Sequence, residues 1–164
     1  MKLIRSLFII IFTIFLNTVQ ASVQTGNYAP EFTLTDSYGN QISLNDFRGK
    51  IVVLEWTNHD CPFVAKHYSS GNMQNTQKTA QDSAVIWVSI ISSAPGTQGH
   101  VTKKEANDLT KSRNATPSHI LFDEEGIVGR LYDAKTTPHM YVINSKGLLK
   151  YQGAIDDAGG RGFI

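Results

Sequence analysis

The sequence predicts an α/β protein with a central mixed β-sheet that is flanked by helices. Two apolar runs, at 51–56 and 84–91, are typical of strands that are buried on both faces of a parallel sheet. A helix predicted between them makes a right-handed βαβ crossover. Near the end of the chain, two further strand patterns flank a Ser145-Lys146-Gly147 turn, and they predict an antiparallel hairpin that closes the sheet.

The first half of the domain is predicted to begin with an N-terminal β-hairpin, because two alternating segments flank the turn-forming residues Asp36-Ser37-Tyr38-Gly39-Asn40. Pro62 suits the first turn of a helix, where its missing N–H costs nothing. The predicted elements are hairpin strands at 31–35 and 41–44, a helical turn at 45–50, a strand at 51–56, a helix from 62 to about 80 with a break near 69–72, and a strand at 84–91.

The second half continues the alternation of helices and strands. Thr102 and Glu105 have the spacing of a capping box and predict the start of a helix. The predicted elements are a loop at 92–100, a helix at 102–113, a short strand at 119–122, a short helix at 127–134, and strands at 139–144 and 148–155. The domain is therefore expected to span residues 28–157, and residues 158–164 read as a flexible or truncated tail.

Residues 1–21 have the pattern of a secretory signal peptide. Lys2 and Arg5 precede an apolar run at 7–16, and Val19-Gln20-Ala21 supplies small residues at the cleavage spacing. We expect cleavage after Ala21, a periplasmic or secreted protein, and no stable membrane association afterwards. The alternative is an uncleaved anchor, but the run is shorter than the roughly 20 residues that cross a bilayer.

The charge of the mature domain excludes some classes of partner. Without Lys2 and Arg5, 13 basic residues remain against 14 acidic ones. No basic stripe indicates nucleic acid, and no acidic tail indicates disorder. No cofactor is expected.

Cys61 is the only cysteine of the chain, so no internal disulfide can form. It lies between the strand at 51–56 and the helix that begins at Pro62. At a helix start, N–H groups and the helix dipole stabilise a thiolate and lower the cysteine pKa. His59 and His67 could add positive charge, whereas an inward-pointing Asp60 would raise that pKa. The alternative is an inert buried thiol, which the polar residues before Cys61 disfavour.

A second candidate element is Thr137-Pro138, which precedes the strand at 139–144. In the inferred fold this loop lies beside the helix start that carries Cys61, although a proline there could also be a simple strand-edge feature. A metal site built from His59, Cys61 and His67 would lack a fourth ligand and convincing spacing, so no metal is expected.

The chain resembles the thioredoxin-like redoxin superfamily, in its peroxiredoxin-like branch, the alkyl hydroperoxide reductase/thiol-specific antioxidant family. The resemblance extends from Tyr28 to Asp157 and implies a thioredoxin fold, a nucleophilic Cys61, and a cis Thr137–Pro138 bond that presents the Thr137 backbone to substrate. The segments that carry it are Ala29-Pro30-Glu31-Phe32, the residues 44–50, Trp56-Thr57-Asn58-His59-Asp60-Cys61-Pro62-Phe63-Val64, the residues 135–143 and the residues 151–157.

Several positions depart from the patterns of these families. Disulfide oxidoreductases use C-x-x-C, but Val64 occupies the second cysteine position. Leu54 and Asn58 stand where typical peroxiredoxins have Pro and Thr, and Pro138 stands where they have an activating Arg; Arg130 could approach instead. Relatives also tend to continue past the final hairpin into another helix. Because this chain ends at residue 164, we expect that C-terminal helix to be missing.

The expected function is that of an exported thiol-dependent oxidoreductase or antioxidant with one reactive cysteine. The Cys61 thiolate would attack a peroxide or a disulfide, and an external thiol would resolve the product. The predicted catalytic residues are Cys61 as the nucleophile, Asn58 as an added hydrogen-bond donor to the developing anion, and His59. Thr137 and Pro138 are the predicted substrate-binding residues. Two alternatives remain open: a non-catalytic module that holds extended polypeptide near Pro138, and metal handling through Cys61 and nearby His.

Overall fold

The computed structural model describes residues 23–157 and has the predicted order of elements. The predicted signal peptide at 1–21, the tail at 158–164 and any C-terminal helix lie outside the described residues. The elements are β1 (Thr33–Asp36), β2 (Gln41–Ser43), a 3₁₀ turn (Leu44–Phe47), β3 (Val52–Trp56), α1 (Pro62–Ser69), α2 (Asn72–Asp82), β4 (Ile86–Ile91), α3 (Lys103–Ser112), β5 (His119–Phe122), α4 (Ile127–Leu131), β6 (His139–Ile143) and β7 (Leu149–Gly153).

The strands form one seven-stranded mixed sheet in the order β2-β1-β5-β4-β3-β6-β7. β3, β4 and β5 are parallel, while β6 and β7 add to the β3 side as the predicted antiparallel hairpin. The N-terminal hairpin joins the other side through an antiparallel pairing of β1 with β5. β4 is therefore the middle strand, and β3 is an interior strand between β4 and β6. The loop that follows β3 opens near the middle of the sheet edge.

Alternate residues of the strands face two separate cores. Leu54, Ile90 and Tyr141 point to the face that is covered by the 3₁₀ turn and α4. Trp87 and Met140 point to the opposite face, where they pack against α1 and α2, and α3 covers a neighbouring part of that same face. The sheet is thus flanked by helices on both faces, and the predicted fold class is confirmed.

Turn chemistry explains where several elements begin and end. The strand predicted at 41–44 ends at Ser43 because Ser43 caps the 3₁₀ turn in a capping box with Asp46. The predicted break in the long helix is confirmed, since Gly71 takes a left-handed conformation with φ of 76° between α1 and α2. The predicted capping box of Thr102 and Glu105 is also present at the start of α3.

Two other predicted elements are longer than the observed ones. The strand predicted from residue 84 begins only at Ile86, because Ala84 has a φ of 58° that no strand accommodates. The helix predicted at 127–134 ends at Leu131, two residues before the left-handed Asp133. Among residues 23–157, no helix is long and apolar enough to cross a membrane.

Candidate active site

Cys61 is the N-cap residue of α1 and follows the short loop after β3. Its extended backbone, with φ of −73° and ψ of 125°, lets Pro62 take the first helical position. The Cys61 N–H donates to the Asn58 carbonyl at 3.1 Å, and the Cys61 carbonyl accepts the first helical bond from Ala65 at 2.9 Å. The cysteine is partly exposed, so an external reactant can reach its sulfur.

The loop before β6 contacts this sulfur directly. The Thr137–Pro138 peptide bond is cis, as the resemblance implied. The Cys61 thiol donates to the Thr137 carbonyl, with 3.1 Å between Sγ and O. Of the candidates from the sequence, Cys61, Thr137 and Pro138 are therefore brought together by the fold.

The pKa of Cys61 lies below its ordinary value. Burial alone would raise the pKa. Hydrogen bonding by the Thr137 side chain and by the backbone N–H groups of Val64 and Phe63 lowers the pKa by more than burial raises it. In the thiol form the sulfur makes no capping hydrogen bond to α1 and donates to a carbonyl instead. The donors at the helix start therefore favour the thiolate over the thiol.

An aromatic cluster supports the loop that carries Thr137. The ring centroids of Trp56 and Tyr132 are 5.3 Å apart, and that of Tyr141 lies 5.1 Å from Trp56. The Tyr141 hydroxyl donates to the Tyr132 carbonyl at 2.9 Å and also lies 3.1 Å from Nδ1 of His139. Because these rings come from β3, β6 and the end of α4, they fix both ends of the segment that contains the cis bond.

The side-chain amide of Asn58 forms hydrogen bonds within its own loop and with the neighbouring loop. Its Nδ2 donates to the Gln98 carbonyl at 3.3 Å, and its Oδ1 accepts from the Asp60 N–H at 2.9 Å. Gly99 packs so closely against this amide that a Cβ there would overlap it. Asn58 therefore shapes the loop before Cys61, and no side-chain hydrogen bond joins it to the sulfur within residues 23–157.

His59 and Asp60 pair with each other, with 3.1 Å between Nε2 and Oδ1. The other carboxylate oxygen of Asp60 accepts from the Gly99 N–H at 3.1 Å, so it is held by the loop. His67 is buried in α1, where its Nε2 lies 3.4 Å from Asp156 and its Nδ1 lies 2.9 Å from Asn72. None of these three side chains is among the groups that shift the pKa of Cys61.

The positions that depart from the family patterns have structural roles. Val64 and Leu54 are fully buried core residues, so the place of a second active-site cysteine is filled by an apolar side chain. The Arg130 guanidinium donates to the Glu125 carbonyl at 3.0 Å on the exposed side of α4. Arg130 therefore engages its own helix start rather than the cysteine.

Sequence reasoning missed a fully buried carboxyl group, Glu55 in β3. It accepts hydrogen bonds from Trp87 Nε1 at 2.8 Å, from Ser89 Oγ at 2.9 Å and from the Tyr68 hydroxyl at 3.1 Å. Burial raises the pKa of Glu55, although these donors oppose the shift. The signal was present, because Glu55 is the one charged residue in the apolar run at 51–56.

No group of three or more His, Cys, Asp or Glu side chains that could hold a metal ion occurs in the part of the chain that the structure describes. His59 and His67, the two histidines considered as partners of Cys61, each pair with a carboxylate instead.

Comparison with known proteins agrees with this geometry. The profile of the AhpC/TSA family matches residues 25–152. The thioredoxin-like protein YneN of Bacillus subtilis (strain 168) is 27% identical over 132 residues, which are 80% of this chain and 72% of that protein.

Two solved structures show the same fold. An uncharacterized conserved protein from Geobacillus kaustophilus has a TM-score of 0.76 at 24% identity, covering 86% of this chain and 74% of the other. A protein assigned as the thiol:disulfide interchange protein DsbE of Chlorobium tepidum has a TM-score of 0.66 at 22% identity, covering 85% and 92%. These likenesses identify the thioredoxin fold.

Proposed function

We propose that this chain, which belongs to the AhpC/TSA family, is an exported thiol oxidoreductase that works with the single cysteine Cys61. The observation that carries the proposal is the placement of a partly exposed thiol at the start of α1, 3.1 Å from the Thr137 carbonyl. The Thr137 side chain and the N–H groups of Phe63 and Val64 lower the pKa of Cys61, and the thiolate is the nucleophilic form.

With a peroxide, the thiolate attacks one oxygen, the O–O bond breaks, and Cys61 becomes a sulfenic acid. The departing alkoxide or hydroxide takes a proton from solvent and leaves as an alcohol or as water. A first external thiol then condenses with the sulfenic acid to give a mixed disulfide and water. A second external thiol attacks this disulfide, which releases the Cys61 thiolate, a proton and the oxidised external disulfide.

With a disulfide substrate, the same thiolate attacks one sulfur, the S–S bond breaks, and the other sulfur leaves as a thiolate. The product is a mixed disulfide between Cys61 and half of the substrate. Val64 fills the position of a second cysteine. An external thiol must therefore resolve the mixed disulfide, with a peroxide substrate as well as with a disulfide substrate. The name of the Chlorobium tepidum structural neighbour, thiol:disulfide interchange protein, supports disulfides as one substrate class.

The residues around the sulfur have distinct proposed roles. The N–H groups of Phe63 and Val64 stabilise the thiolate and the anion that forms during exchange. The backbone at Thr137 and Pro138 positions an extended substrate beside the sulfur. Asn58 and His59 are positioning residues, because their side chains hold the loop before Cys61 in place.

The proposed location is the periplasm or the exterior of the cell. The pattern of a positive start, an apolar run and a small-residue cleavage site in residues 1–21 supports it. A lone reactive thiol in an oxidising compartment is prone to mixed disulfides, which fits a protein that depends on an external reductant. Expression of the full chain with cell fractionation and N-terminal sequencing tests this, with Ser22 expected as the first mature residue.

The activity is tested with the purified mature protein and its Cys61→Ser and Cys61→Ala variants. Peroxide consumption and reduction of a disulfide-linked peptide are measured with dithiothreitol as the external thiol. We expect turnover of at least one substrate by the wild type and its loss in both variants, which keep the wild-type fold by circular dichroism. Full activity in both variants would refute the proposal.

The same variants distinguish the alternative of a non-catalytic module that holds extended polypeptide near Pro138. That alternative predicts slow alkylation of Cys61 and peptide binding that is indifferent to both substitutions. Our proposal instead predicts rapid alkylation and a trapped mixed disulfide when the external thiol is omitted.

A further inference from the structure

An open pocket of about 270 Å³ lies beside the loop that contacts the cysteine. It is lined by residues that end or follow β3 and β4 and by the residues before the cis bond. Thr137 belongs to its wall, and the Thr137 carbonyl also accepts from the Cys61 thiol, with 3.1 Å between Sγ and O. A group that is bonded to the Cys61 sulfur therefore reaches the pocket by passing a single residue.

The wall of this pocket is polar. Trp56 and Ala134 are the apolar residues among the described ones that line it, so a long hydrocarbon chain finds little apolar surface there. Lys135 supplies a positive charge, and none of the described lining residues is an acid. The hydroxyl groups come from Thr57, Ser92, Ser93, Thr136 and Thr137. A cation with several hydroxyl donors and no carboxylate is a lining that suits a small anion.

Ser93 and Thr136 offer hydroxyl groups that are available to a ligand. Neither side chain makes a hydrogen bond to another residue within 23–157. Ser92 differs, because its Oγ accepts from Trp56 Nε1 at 3.1 Å and donates to Asp123 at 2.7 Å. Ser92 thus fixes the back of the pocket, while Ser93 and Thr136 are left to bind what enters it.

The charge of Lys135 is also accessible. Its Nζ lies 2.8 Å from Asp133, but the two side chains are 71% and 62% exposed. Solvent screens such a pair, so a ligand carboxylate can replace Asp133 at little cost. The other nearby acid, Asp123, is buried at the start of α4, where the N–H groups of Val128 and Gly129 donate to its carboxylate at 3.1 and 2.8 Å. Neither acid closes the pocket to an anion.

The volume of the pocket limits the size of the ligand. A water molecule takes up about 30 Å³ in the liquid, so this pocket holds about nine water-sized groups. That is enough for a carboxylate, the few carbons that join it to a sulfur, and some water. Two larger surface pockets, of about 450 and 360 Å³, are lined by acids and do not include Thr137: Glu124 and Glu125 line one, and Asp36 and Asp108 line the other.

We propose that the external thiol that resolves Cys61 is a small thiol with a carboxylate on the second carbon from its sulfur, as in cysteine, and that Lys135, Ser93 and Thr136 bind this carboxylate in the pocket. The inference rests on the proposed function, because it assigns the chemical class of the thiol in that cycle.

The cycle balances with this thiol alone. Its sulfur condenses with the Cys61 sulfenic acid, so that an S–S bond forms, the S–O bond breaks and water leaves. A second molecule of the same thiol attacks the sulfur of the first, and Cys61 departs as a thiolate. Each peroxide that is reduced therefore oxidises two small thiols to their symmetrical disulfide.

The selectivity of Cys61 for small thiols tests the proposal. Because Cys61 is the only cysteine, dipyridyl disulfide converts the mature protein into one mixed disulfide with thiopyridine. A small thiolate then attacks the Cys61 sulfur, the bond to the pyridyl sulfur breaks, and thiopyridone leaves with a proton and is followed by its absorbance. The probes are mercaptopropionate, mercaptoethanol and cysteamine, which have similar lengths and end in a carboxylate, a hydroxyl group and an ammonium group.

Each rate constant is expressed per thiolate and divided by the value for the same labelled protein unfolded in urea, which removes the intrinsic reactivity of each thiol. We expect this ratio to be about two- to fivefold higher for mercaptopropionate than for mercaptoethanol, the range that one exposed charge pair supplies. Cysteamine should have the lowest ratio. Equal ratios for the three thiols would overturn the proposal.

Variants at the surface of the pocket locate the preference. Lys135→Gln should abolish it, and Lys135→Glu should reverse it in favour of cysteamine. Ser93→Ala keeps the charge but should still lower the preference for mercaptopropionate by about twofold or more, the value of one hydrogen bond. The matched control, Lys146→Gln, removes the same charge from the turn between β6 and β7 and should keep the wild-type preference. A wild-type preference in Lys135→Gln or in Ser93→Ala, or its loss in Lys146→Gln, would contradict the assignment.

These measurements start from a preformed mixed disulfide and do not depend on turnover of a peroxide or a disulfide substrate. A protein that shows the preference but no turnover supports the carboxylate site and refutes the proposed function. A protein that turns over with dithiothreitol but shows no preference refutes the carboxylate site and leaves the proposed function intact.

Discussion

The substitution Gly99→Ala tests how the loop before Cys61 is held in place. Gly99 has a φ of +80°, and a Cβ there would overlap the side-chain amide of Asn58. Asn58 cannot move aside freely, because its amide donates to Gln98 and accepts from Asp60. Relief of the overlap therefore breaks these two hydrogen bonds and releases the segment that leads to the cysteine.

The magnitude can be worked out against a matched control, Gly96→Ala. Gly96 lies in the same loop with a φ of +81°, but a Cβ there would have nothing within 4 Å. Both substitutions place an alanine in the left-handed region, which lowers the free energy of unfolding by about 1–2 kcal/mol. Only Gly99→Ala also loses two hydrogen bonds, each worth about 0.5–1.5 kcal/mol. We expect it to be about 1–3 kcal/mol less stable than Gly96→Ala.

Urea unfolding of both variants, followed by tryptophan fluorescence, measures this difference in the free energy of unfolding. The alkylation rate of Cys61 at neutral pH is measured in parallel and should fall in Gly99→Ala, while Gly96→Ala keeps the wild-type rate. If the two variants have the same stability within about 0.5 kcal/mol, the size of an ordinary surface effect, the role assigned to Asn58 is wrong.

Three further predictions concern individual side chains. Since burial raises the folded-state pKa of Glu55 above its unfolded value of 4.5, its contribution to stability is complete below pH 4.5 and is lost as the pH rises through the folded pKa. The free energy of unfolding of the wild type, relative to Glu55→Gln, should therefore decrease between pH 4.5 and 9, and a constant difference would contradict this. Thr137→Val removes a hydroxyl that lowers the pKa of Cys61, so the midpoint of Cys61 alkylation should rise, whereas Thr136→Val should leave it in place; equal midpoints in both variants would argue against a role for the hydroxyl. Thr102→Ala removes the capping box of α3 and should cost about 1 kcal/mol in urea unfolding, a value that an unchanged unfolding midpoint would rule out.

The order and type of the elements could be predicted from the sequence because local signals agree with the fold. The apolar runs of β3 and β4 mark strands that are buried on both faces. The capping box at Thr102 and the left-handed Gly71 mark helix ends by mechanisms that act within a few residues. The placement of Cys61 at a helix start followed from Pro62 in the same way.

The side-chain contacts of Cys61, Asn58 and Glu55 depend on segments that are distant in the sequence. The contact of Cys61 with Thr137 spans 76 positions of sequence, so it was predicted from the inferred fold and the family resemblance and not from any local pattern. Asn58 was predicted as a donor near the sulfur, but its partner Gln98 comes from a loop 40 residues away, and that loop determines where its amide points. The partners of Glu55 come from α1, β4 and α2, so its network could not be predicted from the pattern of β3 alone.

The pH dependence of Cys61 alkylation is the most direct test of an activated thiol at the start of α1. The mature protein is mixed with a small haloacetamide across a range of pH, and the same protein unfolded in urea serves as the reference for an ordinary cysteine. The hydrogen bonds at the helix start predict a midpoint below the ordinary value of about 8.5 in the folded protein and near that value in urea. A folded-state midpoint at or above the value measured in urea would contradict the activation of Cys61 and, with it, the proposed function.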